Sequence, residues 1–210
     1  MTYDTYFKVG KTVSDDPRYE RSKANKALGK FSSLHPHNLA QKTQIIIEHF
    51  RTVTKDKIGG KAKTMVVTGS HLHAVRYYFE FEKYIKKMGY QKELGILVAF
   101  SGVVKDSGEE YTEYGINKIK ETELPKKFSS GEYQVLSVAE KYQTGFDEPL
   151  LHTMFVDKKL YGVKAVQTLS CLNRTCFGKE DTFVLDDEKF GDTVKDLLVD
   201  YVYEKLRSVV

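Results

Sequence analysis

From Lys63 onward, short β-branched apolar runs alternate with stretches of helical period, and no other feature restricts the fold as much. The runs are Lys63–Ser70, Gly95–Phe100, Tyr133–Ala139, His152–Val156 and Thr182–Leu185. Each has the length of a strand and reads as buried. After the first run, Ala74, Tyr78, Phe81, Ile85 and Met88 recur in a 4-3-4-3 rhythm that stops at Gly89, with Ser70 placed as the helix N-cap. Strands separated by helices predict an α/β domain whose mainly parallel sheet of about five or more strands is covered on both faces. In such sheets ligands gather where loops leave the strand ends and the strand order switches.

The flanking segments read differently. A short strand near Thr5–Val9 precedes a turn signal, SDDP, and a helix over 18–31 runs through Ala24, Ala27, Leu28 and Phe31. A second helix runs from Pro36 to about Val53, with Leu39, Thr43, Ile46, Ile47 and Phe50 on one side. Thr52–Lys63, which contains Gly59-Gly60, reads as a hinge or linker. Residues 103–132 are polar, with Asp106–Glu110 a loop and helical fragments near Tyr114–Lys120 and Pro125–Phe128. A last helix, Lys189–Leu206, carries Phe190, Val194, Leu197, Leu198, Tyr201 and Val202 on its apolar side. The chain therefore divides into a helical lead-in, residues 1–60, and an α/β domain, residues 61–210.

Composition narrows the functional classes. With 40% hydrophobic residues the 210-residue chain has the means to bury a core, and 30% charged residues favour solubility. No run of 18 apolar residues occurs and the N-terminus lacks an apolar signal region, so a cytoplasmic protein without membrane contact is expected. Cys171 and Cys176 fit neither a zinc site nor a disulfide framework. The pairs His35/His37 and His71/His73 lack a third ligand, so no metal centre is expected. The net charge of +4 is uneven: residues 1–60 carry 11 Lys+Arg against 6 Asp+Glu, and residues 134–210 carry 10 against 13. A basic front end is compatible with a phosphate backbone as partner. Gly10-Lys11-Thr12 imitates a phosphate loop, but the glycine required five positions earlier is Thr5, and no other such loop occurs in the chain.

Two stretches carry candidate chemistry. Val163–Arg174 (VKAVQTLSCLNR), read as one helix, puts Gln167, Cys171 and Arg174 on one outward face and Val163, Val166 and Leu169 on a stripe that docks against the sheet. Ala139–Pro149 follows a strand and ends in G-x-D-x-P. Gly145 frees the backbone there, while Asp147 could accept from a ribose hydroxyl or cap the next helix. Other polar candidates at element ends are Ser70 and Ser101-Gly102.

G-x-D-x-P, a strand, then a helix carrying Q-x-x-x-x-x-x-R is an order that resembles motifs V and VI in the second RecA-like domain of superfamily 2 helicases. Lys63–Ser70 resembles their motif IV. In detail MVVTGSHLHAVRYY, ILVAFSG, YQVLSVAEKYQTGFDEPLLHTMFVDKKL and AVQTLSCLNR resemble the translocase part of the restriction (R) subunit of type I restriction–modification enzymes, over about residues 15–186.

The resemblance implies a function for each stretch. Thr68, Ser70, Ser101, Gly102 and Thr144 would contact a double-stranded DNA backbone without reading sequence. Gly145, Asp147, Gln167 and Arg174 would face ATP with Mg2+ held mainly by a first RecA-like domain of the same parent chain, with Arg174 reaching the γ-phosphate as an arginine finger and Gln167 beside it. Modification and specificity subunits would complete a bacterial or archaeal complex. The family carries an arginine where this chain has Cys171, and a thiol supplies no fixed positive charge. The phosphate loop and metal-binding carboxylates of a first motor domain are missing, so this chain alone is expected not to hydrolyse ATP. The alternative reading is a non-catalytic RecA-like domain that holds partner subunits or nucleic acid. An unrelated α/β enzyme finds no Ser/His/Asp set or paired carboxylates to support it.

Overall fold

The computed structural model describes residues 33–142 and 145–186. The chain separates into residues 1–41 and 42–210; of the first unit, residues 33–41 are described and enter helix α1 (Pro36–His49). The expected strand at Thr5–Val9, the helix over 18–31, the helix at Lys189–Leu206 and the candidate Thr144 lie outside the described residues.

Seven strands follow: β1 (Lys63–Thr68), β2 (Ile96–Ala99), β3 (Val103–Asp106), β4 (Glu109–Thr112), β5 (Val135–Val138), β6 (Leu151–Asp157) and β7 (Phe183–Asp186). Five of them form one parallel sheet in the order β2-β5-β1-β6-β7, with Met65 opposite Leu136 on one side and Met154 on the other. Every residue of β1 and β6 is buried, as continuous apolar runs require when a sheet is covered on both faces. On one face Met65, Val67, Leu136 and Val156 pack with Phe128, Phe146, Cys171 and Leu172. On the other, Val98 and Phe100 meet Ala74 and Val75. The three layers, with a lead-in helix ahead of them, are RecA-like.

Helix α2 (His71–Met88) begins and ends where the sequence signals put it. Ser70 caps it by accepting the His73 N–H at 3.2 Å, and Gly89 leaves it in the left-handed region at φ 77°. Its buried stripe is wider than the apolar rhythm: His73, Val75 and Tyr77 join Ala74, Phe81 and Ile85, while Tyr78 and Met88 are only half-buried. Tyr77 turns inward because its hydroxyl has an acceptor there, the Asp157 carboxylate at the end of β6, 2.5 Å away. Lys42 of α1 forms a buried ion pair with the same carboxylate.

Two expectations need correction. The stretch Thr52–Lys63 is not a plain linker: α1 continues as a π-helical turn, Phe50–Thr54, then a single turn at Lys57–Gly60. Thr54 is buried and bonded to Thr153 of β6 at 2.8 Å, and Gly59-Gly60 supply left-handed backbone at φ 63° and 79°. Asp106–Glu110 is not an open loop but the turn of the β3–β4 hairpin, with Ser107 (φ 53°) and Gly108 (φ 88°) both left-handed, as a tight two-residue turn demands. Its charged residues hide the strand pattern, yet Val104 is buried and Asp106 takes both arms of the Arg76 guanidinium at 2.7 and 2.8 Å. Helix α3 (Glu113–Asn117) and helix α4 (Leu124–Ser129) follow, near the two expected fragments.

His49 is stacked on Phe183 at 4.3 Å and meets Phe155 edge-on. Burial foremost, then the neighbouring His152, holds its pKa down at about 4. A histidine kept neutral in the fold takes up a proton on unfolding, so its contribution is complete above about pH 6.5 and is lost as pH falls through that window toward 4. Thermal melts from pH 7 to 4 should show falling stability, and His49→Phe should flatten that slope.

Candidate functional site

Helix α5 (Gly162–Ser170) is shorter than the sequence reading. It tightens into one 3-10 turn, Cys171–Asn173, and Arg174 leaves it in an extended conformation at φ −69°, ψ 127°. The change of geometry separates the face expected to carry Gln167, Cys171 and Arg174. Gln167 and Arg174 are exposed, but Cys171 is only 2% exposed, with its thiol 3.8 Å from the Gln167 carbonyl. The expected docking stripe also fails: Val163 and Val166 are 71% and 69% exposed. The helix docks instead through Thr168, Cys171 and Leu172, at i, i+3 and i+4, with Leu169 half-buried. Two stripes of similar apolarity existed, and the sheet took the one that continues into the 3-10 turn.

Arg174 reaches Asp147 through its Nε at 3.2 Å, with the two side chains 48% and 76% exposed. Such a pair holds a guanidinium in place at low cost and releases it readily. The backbone beneath is fixed by Lys179, which the sequence reading did not single out: its ammonium donates to the carbonyls of Leu172 (2.7 Å), Arg174 (2.8 Å) and Pro149 (3.2 Å). Burial lowers its pKa below the usual lysine range. Arg174, Thr175, Lys179, Asp181 and Thr182 line a shallow cavity of about 200 Å³. One wall is acidic: Asp181 accepts from Lys57 (2.7 Å) and is 3.0 Å from His152, and these hydrogen bonds hold its pKa down at about 2.

The segment between β5 and β6 joins opposite ends of the sheet, and among its described residues there is no helix. Asp147 therefore caps nothing, and a turn and strand follow it. Gly145 is left-handed at φ 68°, and a Cβ there would meet nothing within 4 Å, so the backbone conformation rather than space calls for glycine. Glu140 (φ 61°) and Tyr142 (φ 60°) are left-handed as well, at a cost on the order of 1–3 kcal/mol each. Phe146 anchors the segment in the core, with Tyr142 against it at 4.8 Å.

The other candidates lie at the carboxyl ends of β1 and β2, with β5 between them. Thr68 is buried and its hydroxyl lies within donating distance of the carbonyls of Val138 (3.0 Å) and Ser70 (3.2 Å), so it shapes the loop from inside. Ser70 is half-buried as the cap of α2, whereas Ser101 and Gly102 are exposed, Gly102 at φ 76°. The structure thus forms two groups: Ser70, Ser101 and Gly102 at the carboxyl edge, and Asp147 with Arg174 beside the start of β6. The segment 139–147 links them. Among the described residues no cluster of three or more His, Cys, Asp or Glu side chains is arranged to hold a metal ion. His71 turns to Glu140 at 3.7 Å while His73 is buried. Among the described residues no helix is long and apolar enough to cross a membrane.

A five-stranded parallel sheet in this order, covered on both faces, defines a RecA-like α/β domain. Residues 104–183 match the family model for type I restriction enzyme subunit R domain 3. Two curated proteins of Methanocaldococcus jannaschii are similar. One, described as a type I restriction enzyme MjaVIIP endonuclease subunit, is 26% identical over 197 residues, covering 87% of this chain and 18% of that protein. The other, described as an MjaIXP endonuclease subunit, is 26% identical over 206 residues, covering 96% and 19%. In both comparisons the chain is similar to type I restriction enzyme subunits, and it spans less than a fifth of the length of these relatives. Among solved structures, the C-terminal part of the Fun30 ATPase domain aligns with TM-score 0.46 and 12% identity over 98% of this chain and 74% of that one. Domain 2 of the Mss116p DEAD-box helicase, bound to an RNA duplex, aligns with TM-score 0.44 and 21% identity over 75% and 56%.

Arg174→Ala should shift the urea midpoint by the equivalent of about 1 kcal/mol or less, since its ion pair is exposed. Cys171→Arg must force a guanidinium into a packed site and should cost about 1–3 kcal/mol; an unchanged midpoint would mean that the thiol's site opens to water.

Proposed function

We propose that this chain is the second motor half of an ATP-dependent double-stranded DNA translocase, within the R subunit of a type I restriction enzyme. In this reading residues 61–210 form the motor domain and residues 1–60 lead into it from a first RecA-like domain of the same parent chain. The single observation that carries the proposal is Arg174: an exposed guanidinium held, among the described residues, by an exposed carboxylate, on the side from which Gly145 and Asp147 emerge. A phosphate group outcompetes a surface carboxylate for such a partner, because the guanidinium fork matches its oxygens.

Arg174 and Gln167 are donors suited to the γ-phosphate side of an ATP cleft. In this reading ATP with Mg2+ would sit mainly on the first domain, with Arg174 and Gln167 facing it from this one. When bound, the metal would neutralise charge on the phosphate oxygens. Arg174 would contribute the opposing positive charge, and Gly145 with Asp147 would sit at the nucleotide, Asp147 releasing Arg174 as it engages. Ser70, Ser101, Gly102 and Thr144 would track the DNA backbone, with Thr68 setting the Ser70 loop from below. Modification and specificity subunits would supply target recognition, in the cytoplasm of a bacterium or archaeon.

A second reading, a non-catalytic RecA-like domain that holds partners or nucleic acid, draws on the buried thiol of Cys171 where the family has an arginine. Because that position is buried, installing an arginine there tests packing before it tests catalysis, and Arg174 is the better probe. In the protein carrying both motor domains, Arg174→Ala should lower DNA-stimulated ATPase kcat by about 10³–10⁵. An unchanged kcat overturns the motor reading in favour of the holding domain. The isolated chain should show no ATP turnover, and its duplex affinity by fluorescence anisotropy should be weak and fall steeply with salt.

A further inference from the structure

The edge strand β2 has its open side closed by side chains from α3. Asn117 accepts the Val98 N–H at 3.1 Å and donates to the Val98 carbonyl at 2.7 Å, as a neighbouring strand would. Two residues on, the carboxylate of Glu113 accepts the Phe100 N–H at 2.9 Å. Glu113 is 6% exposed, and Thr112 fixes its place by capping α3 through the Gly115 N–H at 2.9 Å. A neutral amide would serve the edge equally well, so a buried carboxylate needs another reason.

That reason is Lys141. Its ammonium meets both Glu113 oxygens, at 3.0 and 2.8 Å, and also reaches Glu121 at 2.7 Å. Burial works against its charge, but the hydrogen bonds to Glu113 and Glu121 prevail and raise its pKa above the usual lysine value. Lys141 stands between the left-handed residues Glu140 and Tyr142, and Phe100 immediately precedes Ser101-Gly102. One carboxylate therefore grips the root of one exposed loop and the strained start of another.

We propose that Glu113 is a positioning residue that locks the 100–102 loop to residues 139–142, the start of the next loop, so that a duplex DNA backbone engaged at one is felt at the other. The lock stands on geometry alone; its transmission to DNA rests on the function proposed above. Breaking the pair frees the second loop while leaving the first anchored, provided an acceptor for the Phe100 N–H remains.

Glu113→Gln, Lys141→Met and the double variant of the full chain separate these statements, read by amide hydrogen exchange and by binding of a fluorescein-labelled duplex across a salt series. Exchange of the 139–142 amides should rise about tenfold in each single variant and no further in the double, because the two side chains act as a unit. The Phe100 amide should stay protected in Glu113→Gln. Duplex affinity should fall by about tenfold with an unchanged salt slope, since neither side chain touches phosphate. Unchanged exchange at 139–142, or additive effects, overturns the lock. A slope reduced by about one in Lys141→Met overturns the positioning role and makes Lys141 a phosphate contact. Absence of duplex binding by the unaltered chain overturns the DNA reading and the transmission, while exchange still decides the lock.

Discussion

Strand β1 has a parallel partner on each side and packed side chains over each face, so most polar groups beside it find partners inside the protein, although the buried Thr64 hydroxyl on β1 itself has none among the described residues. The surroundings of the sheet follow from that requirement. Thr54 of the π-helical turn bonds to Thr153, Thr68 donates to Val138, and Ser137 donates to the Ala74 carbonyl at 3.3 Å. Tyr77 and Lys42 converge on Asp157, binding α2 and α1 to the end of β6. These contacts fix the strand ends, and the strand ends fix the loops.

The segment between β5 and β6 shows what a rigid frame allows. Left-handed Glu140 and Tyr142 are unfavourable conformations that an isolated loop would relax. They persist because Phe146 is buried in the core on one side and Lys141 is held by Glu113 on the other. The segment thereby reaches both the carboxyl edge, near Ser101, and the start of β6, where Asp147 meets Arg174. In the function proposed above, rigid loop roots beneath exposed backbone would serve a surface that grips phosphates without reading bases. The exposed guanidinium beside such a surface suits a charge that must move between partners.

Much of this was legible in the chain because it depended on local signals. Ser70 and Gly89 bounded α2 through a cap and a left-handed exit, and the five apolar runs marked the five strands of the sheet. The hairpin was not legible, because Lys105, Asp106, Glu109 and Glu110 mask the alternation of a strand with one face in water. Nor was the phase of α5: Val163 and Val166 form as good a stripe as Thr168, Cys171 and Leu172, and the sheet chose between them. Of the polar residues discussed, Gln167 and Arg174 were marked as candidates by their spacing and by the family resemblance. Glu113, Lys141 and Lys179 were not, since their partners lie on other elements and each looks like an ordinary surface charge in sequence.

The sequence by itself therefore determined the α/β class, the helix ends and the residue types available for chemistry, because period, caps and glycine backbone act within a few neighbours. Only the tertiary structure decided that Cys171 is buried, that Arg174 leaves its helix to face Asp147, and that Glu113 joins Phe100 to Lys141. Those outcomes depend on which stripe packs and which charges are brought out of water together. Burial and pairing are set by the whole fold at once, and no local pattern encodes them.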